Sequence, residues 1–342
     1  MTRVSATPPS AAAVQVFAPT GAGEIIAGTD LGALVVDLCS TAGVGLLDGD
    51  VVVVTSKAVS KAEGRVGPWD REAAIEAETV RVVARRPGTA IVESRLGLIH
   101  AAAGVDDSGV PVGEIALLPL DPDATAAAIR AAIATHTGVR VGVLISDTAG
   151  RPWRQGQTDL AIGAAGMRVL EDHRGRIDGY GYQLKVTEIA VADELCAAAE
   201  LASGKLGRRP VVVIRGRADL VVEGAGEPAT ALLRPPPEDW FGYGAREAVV
   251  AALSAAEPHA FGAPAALEEL RSALTDVLGP MSDIRLDPGM DADPDSGADV
   301  DGWSIPCKST EAVAIRAVAR AHGWSAEAGP DGLLLRRHGP VP

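Results

Sequence analysis

The stretch "GDVVVVTSKAVSKAEGR", Gly49 to Arg65, opens with a Gly-Asp turn and four consecutive valines. An unbroken β-branched run of this kind is the pattern of a strand buried on both faces, because a half-exposed strand would alternate apolar and polar side chains. Ser56, Lys57, Ser60 and Lys61 come just past its end. In open sheets such a position commonly carries ligand contacts, and a solvated basic loop is the competing reading.

Two further aliphatic runs repeat the theme, "VRVGVLIS" (Val139 to Ser146) and "RPVVVIRG" (Arg209 to Gly216). Between them lie three amphipathic stretches long enough for helices: Asp70 to Arg86, the run beginning "DPDATAAAIRAAIATHTG" at Asp121, and Thr187 to Gly204. In the third, Thr187 reads as the N-cap and Gly204 as the residue that ends the helix. Strands alternating with helices argue a mixed α/β core.

Composition sets the outer bounds. A chain of 342 residues exceeds the usual size of one domain. Apolar residues make up 47% and charged residues 22%, as expected of a globular protein, although aromatics reach only 3%. A net charge of −14 opposes binding along a polyanion, so no nucleic-acid partner is expected. Cys39, Cys196 and Cys307 are widely spaced with no Cys-x-x-Cys pair, which suits a reducing cytoplasm. Cys196 falls on an apolar helical face and reads as core. No stretch has the pattern of a signal peptide or a membrane span, so no membrane partner is expected.

Four segments follow from the pattern. Residues 1–13 read as a loose Ser/Ala/Pro tail, and 14–246 as the main domain. Residues 247–302 read as a linker, Pro/Gly/Asp-rich in parts and acidic from Leu286, and 303–342 as a small helix-plus-strand module. The acidic run "DADPDSG" mimics the start of a calcium loop, but Ser296 and Gly302 stand where Gly and Glu are needed.

Absent signatures narrow the chemistry. No G-x-x-x-x-G-K-[ST] and no G-x-G-x-x-G after a strand is present, and the Gly204-Lys205 pair follows a helix, the reverse of a P-loop. Nor does any G-x-S-x-G or H-E-x-x-H occur. What remains is two Asp-bearing turns, "GVDDSG" (Gly104 to Gly109) and "ISDTAGR" (Ile145 to Arg151). Two carboxylates brought together would suit Mg²⁺ or Mn²⁺, which take oxygen ligands and bridge to phosphates; a purely structural Asp in a turn is the competing reading. "SDTAGRPWRQGQTDLAIGAAG" from Ser146 adds Arg151 and Arg154 around Trp153 in what reads as a turn. An Arg fork matches phosphate or carboxylate, and a surface ion pair with Trp153 as packing anchor is the alternative.

Taken in order, "GDVVVVTSKAVSKAEGRV", "ESRLGLIHAAAGVDDSG", "SDTAGRPWRQGQTDLAIGAAGM", "VTEIAVADELCAAAELASGK", "RPVVVIRG" and "LLRPPPEDWFG" resemble the coenzyme F420-0:L-glutamate ligase family. The likeness runs from about Val14 to Gly244 and is greatest to the actinobacterial form that makes up the N-terminal half of the two-domain F420 ligase. It implies a mixed α/β fold without a P-loop and a homodimer; the small C-terminal α+β appendage read from the sequence lies beyond the likeness. The implied activity is GTP- and metal-dependent addition of L-glutamate to F420-0, and extension of a γ-glutamyl tail, through an acyl phosphate. The resemblance implies that Asp106, Asp147 and Thr148 hold Mg²⁺ or Mn²⁺, with K⁺ a further candidate. GTP would be contacted by the Ala22, Gly23, Glu24 and Ile25 segment, by Ser56 and Lys61, and by the loop at Gly204 and Lys205. Arg151 and Arg154 would face anionic groups, with Gln157 and Asp159 bracing the turn.

Three positions depart from the family pattern. Asp107-Ser108-Gly109 stands where Ser-Asn is usual after Asp106, "TGAGEI" where Ile/Leu-Pro-Glu is common, and Lys205 where many members carry Gln near a second metal. They bear on nucleotide choice and metal count. The chain after Arg246 is less than half of a flavin-binding nitroreductase-like domain, so no FMN is expected. A ligase for another amino acid or phosphate-bearing acid, and a non-catalytic nucleotide-binding protein, are the alternatives.

Overall fold

A computed structural model describes residues 13–254, 261–279, 287–288, 302–329 and 332–337. They form two compact units: the chain up to Val80 with Glu93–Leu233, and Arg81–Val92 with the chain from Arg234 onward.

The chain begins with β1 (Gln15–Phe17), α1 (Leu31–Thr41), β2 (Val51–Thr55), α2 (Ser56–Ala62), β3 (Val66–Gly67) and α3 (Arg71–Glu78). The hairpin of β4 (Thr79–Arg86) and β5 (Thr89–Ser94) follows, then β6 (Ile99–Ala101), β7 (Ile115–Ala116) and α4 (Pro122–Thr137). Next come β8 (Gly142–Arg151), β9 (Arg154–Ala165), β10 (Glu171–Asp172), β11 (Glu188–Ile189), α5 (Val191–Ser203) and β12 (Val211–Arg215). The remaining elements are α6 (Ala245–Leu253), α7 (Leu267–Leu278), β13 (Asp287–Pro288), β14 (Gly302–Pro306), α8 (Ser309–Ala321), β15 (Trp324–Gly329) and β16 (Gly332–Arg337).

The first unit is a five-stranded sheet in the order β1-β12-β2-β8-β9, in which only β2 and β8 run parallel. The four valines explain the layering. Val52 and Val54 pack with α1, α2 and α4 on one face, while Val51 and Val53 pack with α5 on the other, and all four are buried. Each contributes on the order of 1.5–3 kcal/mol, so a charge at any of them would open a layer. Helix α4 is bounded by local chemistry: Asp121 accepts from Ala124 N at 2.9 Å, Pro122 opens the first turn, and Gly138 ends the helix at φ 74°. The second unit buries Leu270, Leu274, Ile305, Ile315, Trp324 and Leu335 between its helices and the β14-β16-β15 strands. No helix among the described residues is long and apolar enough to cross a membrane.

The mixed α/β class is as expected, and Cys196 is fully buried. Four local expectations are corrected. Residues 70–86 are not one helix: α3 ends at Glu78, and the β-branched run Thr79 to Val83 with the Pro87-Gly88 turn makes a hairpin instead. Helix α5 starts at Val191, because Glu188 and Ile189 pair with Asp172 and Glu171, so Thr187 is not its N-cap; Gly204 does end it. The Asp-bearing segment after Ile145 is not a turn either. Strand β8 continues through Asp147 to Arg151, and the reversal falls at Pro152 and Trp153, the latter at φ 59°. Helices α6 and α7 occupy part of the 247–302 stretch. The tail 1–12 and most of the acidic run lie outside the described residues.

Candidate active site

Strand register brings the first two site residues together. β2 and β8 are parallel with Thr55 opposite Ser146, so the next residues, Ser56 and Asp147, meet at the same edge of the sheet. Ser56 Oγ donates to Asp147 Oδ1 at 2.5 Å. The side chain of Asp147 is about a fifth exposed (21%). Burial pushes its carboxyl up to about 6; the Ser56 bond opposes this, the charges of Asp159 and Asp106 add to it, and Lys57 opposes it.

Asp106 arrives from the other side. After β6 the chain turns through Ala102, Ala103 and Gly104, all at φ between 52° and 75°. Left-handed backbone costs a non-glycine residue about 1–2 kcal/mol. It is held there because Ala103 is buried, and because Asp106 then pairs both ways with Ala116, at 3.0 and 2.8 Å. Strain retained by such surroundings is common at functional sites. Asp106 Oδ2 accepts from Lys57 Nζ at 2.6 Å and from Ser108 Oγ at 2.8 Å. Burial raises this carboxyl, but the bonds from Lys57 and Ser108 outweigh it and leave it below its ordinary value.

The sheet face behind Asp147 is different. Asp159, on β9 and only 4% exposed, accepts from Ser146 Oγ at 2.9 Å and from Thr148 Oγ1 at 2.7 Å, the residues on either side of Asp147. One buried carboxylate therefore clamps the strand around the other. His100, buried on β6, places Nδ1 3.9 Å from Asp147 Oδ2, and burial lowers its pKa, which keeps it neutral. Neither the clamp geometry nor His100 announces itself in the sequence. His100 is one imidazole in an aliphatic strand, and Ser146 belongs to the aliphatic run that marks β8.

The family model for F420-0:gamma-glutamyl ligase matches residues 21–216. The chain belongs to that family. It is 38% identical over 218 residues to the coenzyme F420:L-glutamate ligase of Methanopyrus kandleri, covering 57% of this chain and 86% of that one. The corresponding enzyme of Methanothermobacter thermautotrophicus is 37% identical over 211 residues (56% and 84%), and that of Archaeoglobus fulgidus 39% over 223 residues (59% and 88%). The family match spans every residue of the site just described.

The structure brings only some of the sequence-predicted residues together. Ser56, Asp106 and Asp147 share one cluster. Lys61 lies one helical turn beyond Lys57 on the same face of α2. The loop at Gly204 and Lys205 precedes β12, and the carbonyl of Pro210, just before that strand, accepts from Thr55 N at 3.0 Å, so the loop opens at the same sheet edge. The Ala22 to Ile25 loop follows β1 toward that edge, with Ile25 in the core cluster that holds Ala58 and Val59 of α2 and Glu24 exposed. Thr148 points away from Asp147, to Asp159. Arg151 and Arg154 flank Trp153, away from Asp147. They face each other across the hairpin tip, four residues further on, about 13 Å along an extended strand. Gln157 is exposed opposite Gly150 and braces nothing, whereas Asp159 braces a strand rather than a turn.

Among the described residues no three His, Cys, Asp or Glu side chains converge as a metal cage. A divalent hard cation does not need one. Mg²⁺ is held by one or two carboxylates completed by water and substrate phosphates. Asp106 and Asp147, oxygen donors near enough for the charge of Asp106 to raise the Asp147 carboxyl, fit that requirement.

Proposed function

We propose that the protein joins L-glutamate to F420-0 and extends a γ-glutamyl tail, using GTP and Mg²⁺ or Mn²⁺. The observation that carries this is the meeting of Ser56, Asp106 and Asp147 at one sheet edge within the region shared with the F420:L-glutamate ligases. Asp106 and Asp147 would hold the cation, which when bound neutralises charge on the phosphates and draws electron density from the one transferred. Ser56, Lys61 and the loops at Ala22–Ile25 and Gly204–Lys205 would line the nucleotide. The F420-0 carboxylate attacks the γ-phosphorus, and the bond to the β-phosphate oxygen breaks, releasing GDP and leaving an acyl phosphate. The glutamate amine then attacks the acyl carbon; phosphate leaves and the amine loses a proton. Positioning and charge neutralisation supply most of the rate in such transfers. Asp159 contributes by holding the two residues that flank Asp147.

The test is mass spectrometry of F420-0 incubated with the pure protein, L-glutamate, Mn²⁺ or Mg²⁺ and either GTP or ATP. A GTP-dependent ladder of glutamyl additions is expected. Addition with ATP alone would reassign the nucleotide, and tight GTP binding with no product under any condition would contradict the ligase reading.

A further inference from the structure

Lys57 was no part of the residue set expected from the family resemblance, yet it is the most heavily engaged cation at the site. Its ammonium donates to Asp106 Oδ2 at 2.6 Å, to Ser108 Oγ at 3.0 Å and to the Ser108 carbonyl. The loop closes over it at Gly109, φ 65°, where an added Cβ would stand 3.4 Å from Lys57 Cδ. Its charge also reaches Asp147. One ammonium thus compensates both carboxylates assigned above to a divalent cation. It cannot keep Asp106 when a metal takes that oxygen, because the two cations would repel at a few ångströms.

We propose that Lys57 is a built-in competitor for the metal: without nucleotide it occupies Asp106 and holds the 106–109 loop, and it is released onto the nucleotide phosphates when metal and nucleotide enter together. This rests on the reading of Asp106 and Asp147 as cation ligands. The consequence is positive coupling between metal and nucleotide, equal in both directions, since the phosphates supply the anionic partner that Lys57 loses. The pair is partly exposed, 26% for Lys57 and 41% for Asp106, so the competition is modest, roughly three- to tenfold in metal affinity.

The experiment is Mn²⁺ titration of the full chain, followed by the EPR signal of free Mn²⁺, for the wild type, Lys57→Met and Lys57→Arg. Each is measured with and without GTP, subtracting Mn²⁺ bound to GTP in a protein-free control. Lys57→Met should bind Mn²⁺ three- to tenfold tighter than wild type without nucleotide, and Lys57→Arg no tighter. GTP should tighten binding more in the wild type than in Lys57→Met. Equal or weaker nucleotide-free binding by Lys57→Met overturns the proposal alone, and Lys57→Gln replaces it if the methionine variant does not fold. A wild type that takes up no Mn²⁺ even with GTP overturns the cation-site reading, and the proposal with it.

Discussion

Two levels of the β8–β9 hairpin, the stretch around Asp147 that serves as its base and the turn that forms its tip, carry different polar residues and are held in opposite ways. At its base, Ser146, Asp147, Thr148 and Asp159 are locked by hydrogen bonds of 2.5–2.9 Å to one another and to Ser56. At its tip, Arg154 is exposed, Trp153 is 79% exposed, and Arg151 has a buried Nε with no partner while its Nη2 reaches only the Gln155 carbonyl at 3.3 Å. A clamped base can fix a carboxylate to within the tolerance that phosphoryl transfer needs; an open tip suits adjustable contact with a charged ligand. The proposed function therefore assigns chemistry to the base and recognition to the tip.

The largest effect tests the base. Asp147→Asn, which keeps the acceptor for Ser56 but loses the charge, should lower kcat/KM for glutamate addition by at least about a thousandfold, read by product mass spectrometry. Activity within tenfold of wild type would put the cation elsewhere. Asp159→Asn should cost about 10- to 100-fold, chiefly in Mn²⁺ affinity, since it acts by orienting its neighbours. A loss of stability with unchanged metal affinity would make Asp159 purely structural.

A third expectation concerns pH. Burial raises Asp147 above its unfolded value, so the folded protein binds the proton more tightly between about pH 4 and pH 6. Its contribution to stability is lost as pH rises through that window, leaving a penalty above pH 6. With the side chain about a fifth exposed, the penalty is of order 1–2 kcal/mol. Metal-free Asp147→Asn should therefore be more stable than wild type at pH 7.5 by about that much, and equal to it near pH 4, in urea titrations. The smallest effect belongs to the tip: Arg154→Ala should raise KM for an anionic substrate roughly tenfold with kcat nearly kept and Tm unchanged. A comparable fall in kcat would erase the contrast between base and tip.

The legible parts of the molecule were those set by local chemistry. Four valines announce β2, and Asp121, Pro122 and Gly138 bound α4, because each signal is complete within its own segment. The same applies to Ser56 and Asp147 as candidates, which follow aliphatic runs. What could not be read is the pairing across the sequence. The parallel register of Thr55 with Ser146 joins residues 91 apart, and no periodicity encodes it. Asp147 looked like a turn residue because Asp, Thr, Ala and Gly follow one another; the long pairing of β8 with β9 overrides that weak local preference. His100 was passed over, and Lys57 was read only as a candidate ligand contact, for the same reason, since each acts through a partner 47 or 49 residues away.

One experiment locates the chemistry without reference to turnover: crystals grown with GTP and Mn²⁺, and an anomalous difference map collected at the manganese edge. A peak bridging Asp106 and Asp147 at the edge shared by β2 and β8 is the expected result. A peak confined to the Thr148–Asp159 face, or to the hairpin tip at Arg151 and Arg154, would contradict it.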